Sequence, residues 1–458
     1  MEFPSKVKVL LSILQRSGFE AFVVGGCVRD YLLSKKPNDW DITTSATPDE
    51  IKKVFKNYKL INNNGEKHGT VTIRFEDENF EITTYRIETD YSDHRHPEKV
   101  EFTASLNEDL KRRDFTINAM ALGEDGILHN PIGYDGHEDL KNKIIRAVGN
   151  PLERFKEDAL RILRMIRFAS VLDFTIEDNT LDCAWRLRED LEYISKERIR
   201  EEINKFLCGK GFKKLCLNYQ VIDILKVVFP HIKSMIYFDQ RSRYHKHDLW
   251  LHTINVVDTI ENRDYMVAMA GFLHDIGKLT CYQEYTSPEG KQMLHFVGHP
   301  VVSYEMAISI LNELKYSQAE MDIILTLILN HDFTFTGSVK NIKKVMNAIQ
   351  SKCPTVLDYV YRSLINLKFA DWQDHDFGNS NIEIPSKEKM ISTYEYIISQ
   401  SECFSLKDLA INGNDLIALG FKPSPIMKTI LNDCLDKVIN EELENNRDNL
   451  IAYIKLNY

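Results

Sequence analysis

Asp39 and Asp41 stand one residue apart in Asp39-Trp40-Asp41-Ile42. On a strand, side chains at i and i+2 share a face about 6.6 Å apart. Two carboxylates so placed repel each other unless a divalent cation sits between them, and oxygen ligands of this kind suit Mg2+. Just upstream, Val23-Val24-Gly25-Gly26-Cys27-Val28-Arg29-Asp30 reads as a strand entering a helix through two glycines. Such a turn lets backbone N–H groups at a helix N-terminus approach a phosphate closely, and Arg29 adds a charge one turn in. Far downstream comes a second series, His252, His274-Asp275, His299, His331 and Asp371. A histidine and an aspartate adjacent in the apolar run Met269–Lys278 are costly to bury uncompensated, and metal ligation satisfies both.

The elements that must position these groups change character along the chain. Residues 1–145 alternate helix-like and strand-like stretches: Lys8–Arg16 is amphipathic, Ala21–Val24 is a short apolar strand, and Asp39–Thr44 alternates. Thr70–Phe75 and Phe80–Tyr85 predict a hairpin. From about 150 onward, apolar spacing near 3.6 predicts helices over 156–170, 196–208, 253–262 and 304–315. Composition breaks at Pro230, at the polar, aromatic connector Tyr237–His247, and at Gly378–Pro385. The predicted class is α+β, a head over 1–145 followed by an all-helical body: a neck over 146–235, a segment at 240–380 holding the histidines, and a tail over 381–458.

The chain has 458 residues, 43% hydrophobic and 28% charged, which excludes global disorder. No uncharged apolar run approaches the roughly 18 residues of a membrane helix. Val9–Leu14 is too short before Gln15 and Arg16 for a secretory signal. Eight cysteines without a CxxC pair read as reduced thiols, and the expected place is the cytoplasm. A net charge of −10 disfavours non-specific coating of nucleic acid. Locally, however, 141–167 carries eight Lys/Arg against three acids and 195–214 seven against three, a basic middle suited to one defined nucleic acid.

Four ordered motifs carry a family resemblance: GGCVRDYLL at 25–33, DWDI at 39–42, RRDFTINAMAL at 112–122 and KEDALRILRMIRFA at 156–169. Over roughly residues 20–230 the chain resembles the bacterial-type tRNA nucleotidyltransferases and poly(A) polymerases, which are DNA polymerase β-like. The carboxylate pair then fits the two-metal layout for nucleotidyl transfer, in which one ion activates the attacking hydroxyl and another holds the triphosphate. The resemblance implies Asp39 and Asp41 as catalytic Mg2+ ligands. It implies Gly26, Arg29, Arg113, Asp158, Arg161, Arg164 and Arg167 as nucleotide contacts, with tRNA, CTP and ATP as partners. Glu81 on the hairpin is as readily an exposed strand residue as a third carboxylate and has no assigned role.

On one continuous helix from about 155 to 170, Arg161 lies 60° from Asp158. A bare i,i+3 salt bridge between them is the bland interpretation. The functional one is a protein template: cytosine and adenine each present an amino donor beside a ring acceptor, matching a carboxylate beside a guanidinium. Uracil and guanine put an N–H where the arginine also donates, so they are rejected. Arg167, half a turn away, is expected to face phosphate or RNA, although the family pattern includes it with the nucleotide. The polar stretch Thr89–Glu98 occupies the place of the flexible loop that A-adding members of the family have, which argues for complete CCA addition or addition of its terminal A.

The downstream series over about 245–375 resembles an HD phosphohydrolase domain. The resemblance implies His252, His274, Asp275, His299, His331 and Asp371 as ligands of Mn2+, Mg2+, Ni2+ or Fe. His231, His245, His247 and His295 have no assigned role. The expected function is a metal-dependent tRNA nucleotidyltransferase working without a nucleic-acid template, with an accompanying phosphohydrolase activity at the HD site. The rivals are a poly(A) polymerase, an HD phosphohydrolase whose head only binds nucleotide, and a non-catalytic RNA-binding module.

Overall fold

The computed structural model describes residues 3–61, 68–91, 97–242, 245–375 and 385–458. The chain divides into two compact units, Met1–Pro230 and His231–Tyr458.

The first unit begins with the helix Ser5–Arg16, whose buried Val7, Leu10, Leu11 and Leu14 form one stripe at helical spacing. Pro4 provides no side-chain cap. Each fully buried leucine is worth roughly 1.5–3 kcal/mol, so packing rather than capping holds this helix. It lies beside a seven-stranded sheet. The strands are β1 (Ala21–Val24), β2 (Ile42–Thr44), β3 (Lys59–Ile61), β4 (Thr70–Phe75) and β5 (Glu78–Thr84), then, after the separate antiparallel pair β6 (Arg86–Tyr91) and β7 (Pro97–Phe102), β8 (Ala121–Leu122) and β9 (Leu128–His129). Their order in the sheet is β3-β4-β5-β2-β1-β8-β9.

β1 is antiparallel to β2 (Val23 opposite Ile42) and to β8 (Val23 opposite Leu122). β2 runs parallel to β5, with Ile42 opposite Ile82. Val23, Ile42 and Ile82 are fully buried, so register and core coincide. β4 and β5 form the expected hairpin. Of the stretch Thr89–Glu98, the two ends belong to β6 and β7, while 92–96 lies outside the described residues.

Beyond β9 the unit is mostly helical, apart from the short parallel pair Ile144–Ile145 and Thr175–Ile176, with Pro151–Glu157, Leu160–Leu172, Asp178–Arg186 and Lys196–Leu207 around the functional residues. One expectation is corrected here: 155–170 is two helices. Asp158 is extended (φ −143°, ψ 102°), and its Oδ1 accepts the Leu160 N–H at 3.0 Å. A carboxylate that competes with the backbone for an N–H ends one helix and starts the next.

The second unit is almost wholly helical. Leu249–Thr259, Tyr265–Leu273, His299–Glu313, Gln318–Asn330 and Leu357–Asp374 pack around the histidine series. One two-stranded hairpin pairs Gln283–Thr286 with Gln292–His295. The last helices, Gly413–Ala418, Pro425–Ile439 and Arg447–Asn457, have their own core of Leu416, Ile430, Cys434, Ile439, Leu450 and Ile454. All eight cysteines are unbridged. Among the described residues, no helix is long and apolar enough to cross a membrane.

Candidate active site

The double glycine sits where β1 ends and the helix Gly26–Leu32 begins. Gly25 caps that helix at φ +81°, and its N–H reaches the Met120 carbonyl at 3.1 Å. A Cβ there would meet Arg113 Nη1 at 3.3 Å, so glycine satisfies both the backbone angle and the close approach of an arginine. Arg29 donates from Nη1 to Asn118 Oδ1 at 2.7 Å and from Nε to Asp30 Oδ1 at 2.9 Å. Arg113 is anchored by Asp109 Oδ2 at 3.2 Å. Asp109 is fully buried and also receives Arg112 Nε at 2.9 Å.

The aspartate pair is not on the strand, as its alternation predicts, but on the extended lead-in before β2 starts at Ile42. The Asp41 carbonyl still accepts the Val24 N–H at 3.0 Å, which fixes this lead-in against β1. The Trp40 ring packs edge-on against Phe3 and Tyr31. Asp41 is exposed at the cleft, yet partial desolvation by the surrounding protein raises its carboxyl above its usual range, and the charges of Glu81 and Asp39 raise it further against the pull of Arg113. The carboxylates of Asp39 and Glu81 both act on Asp41, and an all-oxygen surrounding of this kind fits a hard divalent cation.

Asp41 and all seven expected nucleotide contacts border a single cleft of about 480 Å3: Gly26, Arg29, Arg113, Asp158, Arg161, Arg164 and Arg167. Asp39 is not part of its wall. The arginines are pre-arranged by acids. Asp114 Oδ2 accepts from Arg164 Nε at 2.9 Å and Nη2 at 2.5 Å. Burial alone would raise the Asp114 carboxyl, but the charges of Arg164 and Arg161 and the N–H of Phe115 hold it down at about 2. Arg167 donates to the buried Glu202 at 2.8 Å and lies 3.6 Å over the Phe168 ring.

The base-reading pair also differs from its expected geometry. Because the helix breaks at Asp158, the angle drawn for one continuous helix does not apply. Asp158 Oδ2 accepts from Arg198 Nη2 at 2.8 Å, while Arg161 Nη1 pairs with Glu157 Oε2 at 2.5 Å. Arg198 and Glu202, one helical turn apart on Lys196–Leu207, are residues that sequence reasoning missed. Their spacing reads as an ordinary exposed helix face, and only the fold brings them to the cleft. Asn118 was legible within RRDFTIN but had no stated role.

In the second unit, the structure brings all six expected HD residues into one buried cluster. Asp275 is its centre. Its Oδ2 faces His252 Nε2 at 3.2 Å and His274 Nε2 at 3.1 Å, and its Oδ1 faces His299 Nε2 at 3.1 Å and His331 Nε2 at 3.5 Å. Asp371 Oδ1 lies 3.3 Å from His252 Nε2. The other ring nitrogens are all committed. His274, His299 and His331 Nδ1 donate to the carbonyls of Gly271, Phe296 and Ile328, and His252 Nδ1 meets Asp374 Oδ2 at 2.8 Å. That pattern turns every Nε2 inward, where His299 and His331 share a hydrogen bond at 3.1 Å and each nitrogen, once deprotonated, can offer a lone pair to a cation.

His252 Nε2, His274 Nε2 and both Asp275 oxygens are buried and turned toward one another, a donor set that fits a divalent cation. Burial opposes charge on Asp275, yet the charges of His274 and Lys278 hold its carboxyl well below the usual range. Burial likewise opposes charge on His252, but its bonds with Asp275, Asp371 and Asp374 raise it to about 10, a proton that a bound cation would displace. His331 is pushed down to about 4, chiefly by burial. The mixed N/O donor set fits a transition-type divalent ion. Lys278, which sequence reasoning left without a role, is buried and reaches Asp275 Oδ2 at 2.6 Å.

Sequence comparison matches 21–146 to the family described as "Poly A polymerase head domain", 173–236 to "Probable RNA and SrmB- binding site of polymerase A", 249–400 to "HD domain", and 380–454 to "tRNA nucleotidyltransferase domain 2 putative". The chain is 32% identical over 450 residues to the CCA-adding enzyme of Staphylococcus aureus strain MRSA252, covering 98% of this chain and 97% of the relative. It is 31% identical over 452 residues to that of the bovine strain RF122 / ET3-1, with the same coverage. Among solved structures, the Bacillus stearothermophilus CCA-adding enzyme in complex with CTP shares the fold at a TM-score of 0.68 and 24% identity, covering 99% of this chain and 98% of that one. The Thermotoga maritima CCA-adding enzyme complexed with tRNA does so at 0.57 and 20%, covering 99% and 96%.

Proposed function

This chain belongs to the family of CCA-adding enzymes, and from that premise we propose that its first unit builds or repairs the 3′ CCA end of tRNA, using CTP and ATP in the cleft between the double glycine and Asp158. The observation that carries this reading is the convergence of Asp41, the Gly25-Gly26 turn and Asp158 on one cleft. The tRNA 3′-hydroxyl attacks the α-phosphorus of the incoming nucleotide; a P–O3′ bond forms, the α–β bridge breaks, and pyrophosphate leaves. Divalent cations held by Asp39 and Asp41 would activate that hydroxyl and neutralise the triphosphate. The N–H groups at the start of Gly26–Leu32, with Arg29 and Arg113, bind the triphosphate. Asp158 and a neighbouring guanidinium read the amino donor and ring acceptor shared by cytosine and adenine.

Three of the arginines around the cleft are held by an acid: Arg113 by Asp109, Arg164 by Asp114 and Arg167 by Glu202. Binding therefore costs little side-chain reorganisation. Asp41→Ala is the test. It should abolish nucleotide addition while tRNA binding persists; retention of more than about a tenth of wild-type turnover places the ions elsewhere.

A second reading applies to the second unit, where the inward Nε2 lone pairs around Asp275 support a divalent-metal phosphohydrolase site. A tRNA end carrying a 2′,3′-cyclic phosphate lacks the free 3′-hydroxyl that nucleotide addition needs, so phosphate removal there would restore the nucleophile. The relatives are CCA-adding enzymes, which leaves a poly(A) polymerase disfavoured.

A further inference from the structure

We infer that Lys368 is the residue of the second unit that binds the phosphate group of the substrate; the inference rests on the phosphohydrolase reading above. Lys368 lies on the helix Leu357–Asp374, three residues before Asp371. Both line one pocket of about 810 Å3, which also reaches Asp275, His299 and His331. Lys368 is only 4% exposed, yet its Nζ is not sealed from solvent.

Two lysines stand in this pocket, and their surroundings differ. The Lys278 ammonium has three N–H groups and three acceptors: Asp275 Oδ2 at 2.6 Å, Gln240 Oε1 at 3.0 Å and His245 Nε2 at 3.2 Å. Its donors are all spent. Lys368 Nζ stands 3.6 Å from Asp332 Oδ1, 3.9 Å from Asp371 Oδ2 and 5.2 Å from the centre of the Trp372 ring. Among the described residues none accepts a hydrogen bond from it. An ammonium taken out of water with charged neighbours but no hydrogen bond is costly, and a ligand acceptor lowers that cost.

The neighbours decide what kind of ligand that is. Asp371 Oδ1 already faces the Nε2 atoms of His252 and His375, each at 3.3 Å. Asp332 is 58% exposed at its side chain, so water competes for its charge. A divalent cation at the cluster would draw further on Asp371 and set a second positive centre beside Lys368. Two such centres favour an anion that touches both, and a phosphate brings charged oxygen acceptors. A free ribonucleotide and a tRNA end carry the same group. Phe296, Phe333 and Trp372 line the same pocket and offer ring faces to the attached nucleoside.

The test uses the full chain loaded with Mn2+ and compares wild type, Lys368→Met, Lys368→Arg and Asp332→Asn. Calorimetry gives Kd for inorganic phosphate; binding at the nucleotide cleft is common to all four proteins. KM and kcat are read on adenosine 2′,3′-cyclic phosphate and on tRNA ending in a cyclic phosphate, which separates the two sources, and bound Mn2+ is measured on each preparation. Lys368→Met should raise Kd and KM about tenfold or more at unchanged Mn2+ content, with kcat changing less, and Lys368→Arg should retain most of the affinity. Asp332→Asn removes an exposed competing charge and should tighten phosphate roughly threefold, a change of opposite sign that stands even if Lys368→Met folds poorly. A methionine variant with wild-type Kd and KM overturns the inference. So does one whose weaker binding accompanies lost Mn2+, which makes Lys368 a support for Asp371, and so does an Asp332→Asn protein that binds phosphate no better than wild type. If Mn2+-loaded wild type hydrolyses neither substrate, the phosphohydrolase reading falls and takes this inference with it; if it hydrolyses either, the Lys368 and Asp332 variants decide.

Discussion

Asp114 receives both Nε and Nη2 of Arg164 on a single oxygen, Oδ2, across fifty residues of sequence. The pair joins the RRDFTIN turn of the head to the helix Leu160–Leu172, and the other oxygen, Oδ1, accepts from Phe115 N at 2.8 Å and Asn118 Nδ2 at 3.2 Å. Asn118 in turn receives Arg29. One buried carboxylate therefore sets two of the arginines that line the cleft.

Asp114→Asn should cost roughly 2–3 kcal/mol at pH 7, because the folded-state carboxyl is held near 2 against an ordinary value of 3.8. The sign follows from that depression. The stabilisation is fully present above pH 4 and is lost as pH falls from about 4 toward 2. Urea melts at pH 7 and pH 3 check it: the gap between wild type and variant should narrow at the lower pH, and KM for CTP should rise in the variant.

Asp41→Asn should raise the Tm while removing nucleotide addition. Partial desolvation and the charges of Glu81 and Asp39 hold the ionised Asp41 in an unfavourable state, so a neutral isostere relieves repulsion that serves only the cation. Differential scanning calorimetry in chelator reads the sign; a lowered Tm means that Asp41 is a structural group.

His274→Ala combined with Asp275→Asn should remove bound divalent metal and any phosphatase or cyclic-phosphodiesterase activity, with CMP and AMP addition largely intact. Metal content by mass spectrometry and both activities are measured on the same preparation. Phosphate release that survives this change but disappears in Asp41→Ala would reverse the proposed division of labour. Chelation of wild type should lower the Tm of the second unit, since it leaves inward lone pairs and carboxylates facing one another.

The sequence disclosed residue types and short-range order well. Gly25-Gly26 lies in one strand–turn–helix stretch with Asp41 shortly after it, and the HD ligands stand out as polar groups in apolar helices. Two local expectations failed for local reasons. The Asp39–Thr44 strand begins only at Ile42, where Trp40 has already turned toward Phe3 and Tyr31. The 155–170 helix breaks because Asp158 caps Leu160, although apolar spacing runs unbroken across the joint. Pairings made by tertiary contact left no trace in spacing: Arg198 with Asp158, and Glu202 with Arg167.

The most direct measurement extends a tRNA lacking all three 3′ nucleotides with purified protein and labelled nucleotides, resolved to single-nucleotide length. CTP alone should add two residues, CTP with ATP should add three and then stop, and UTP or GTP should add none. A growing run of A residues, or no extension by a folded protein that binds the tRNA, would contradict the account.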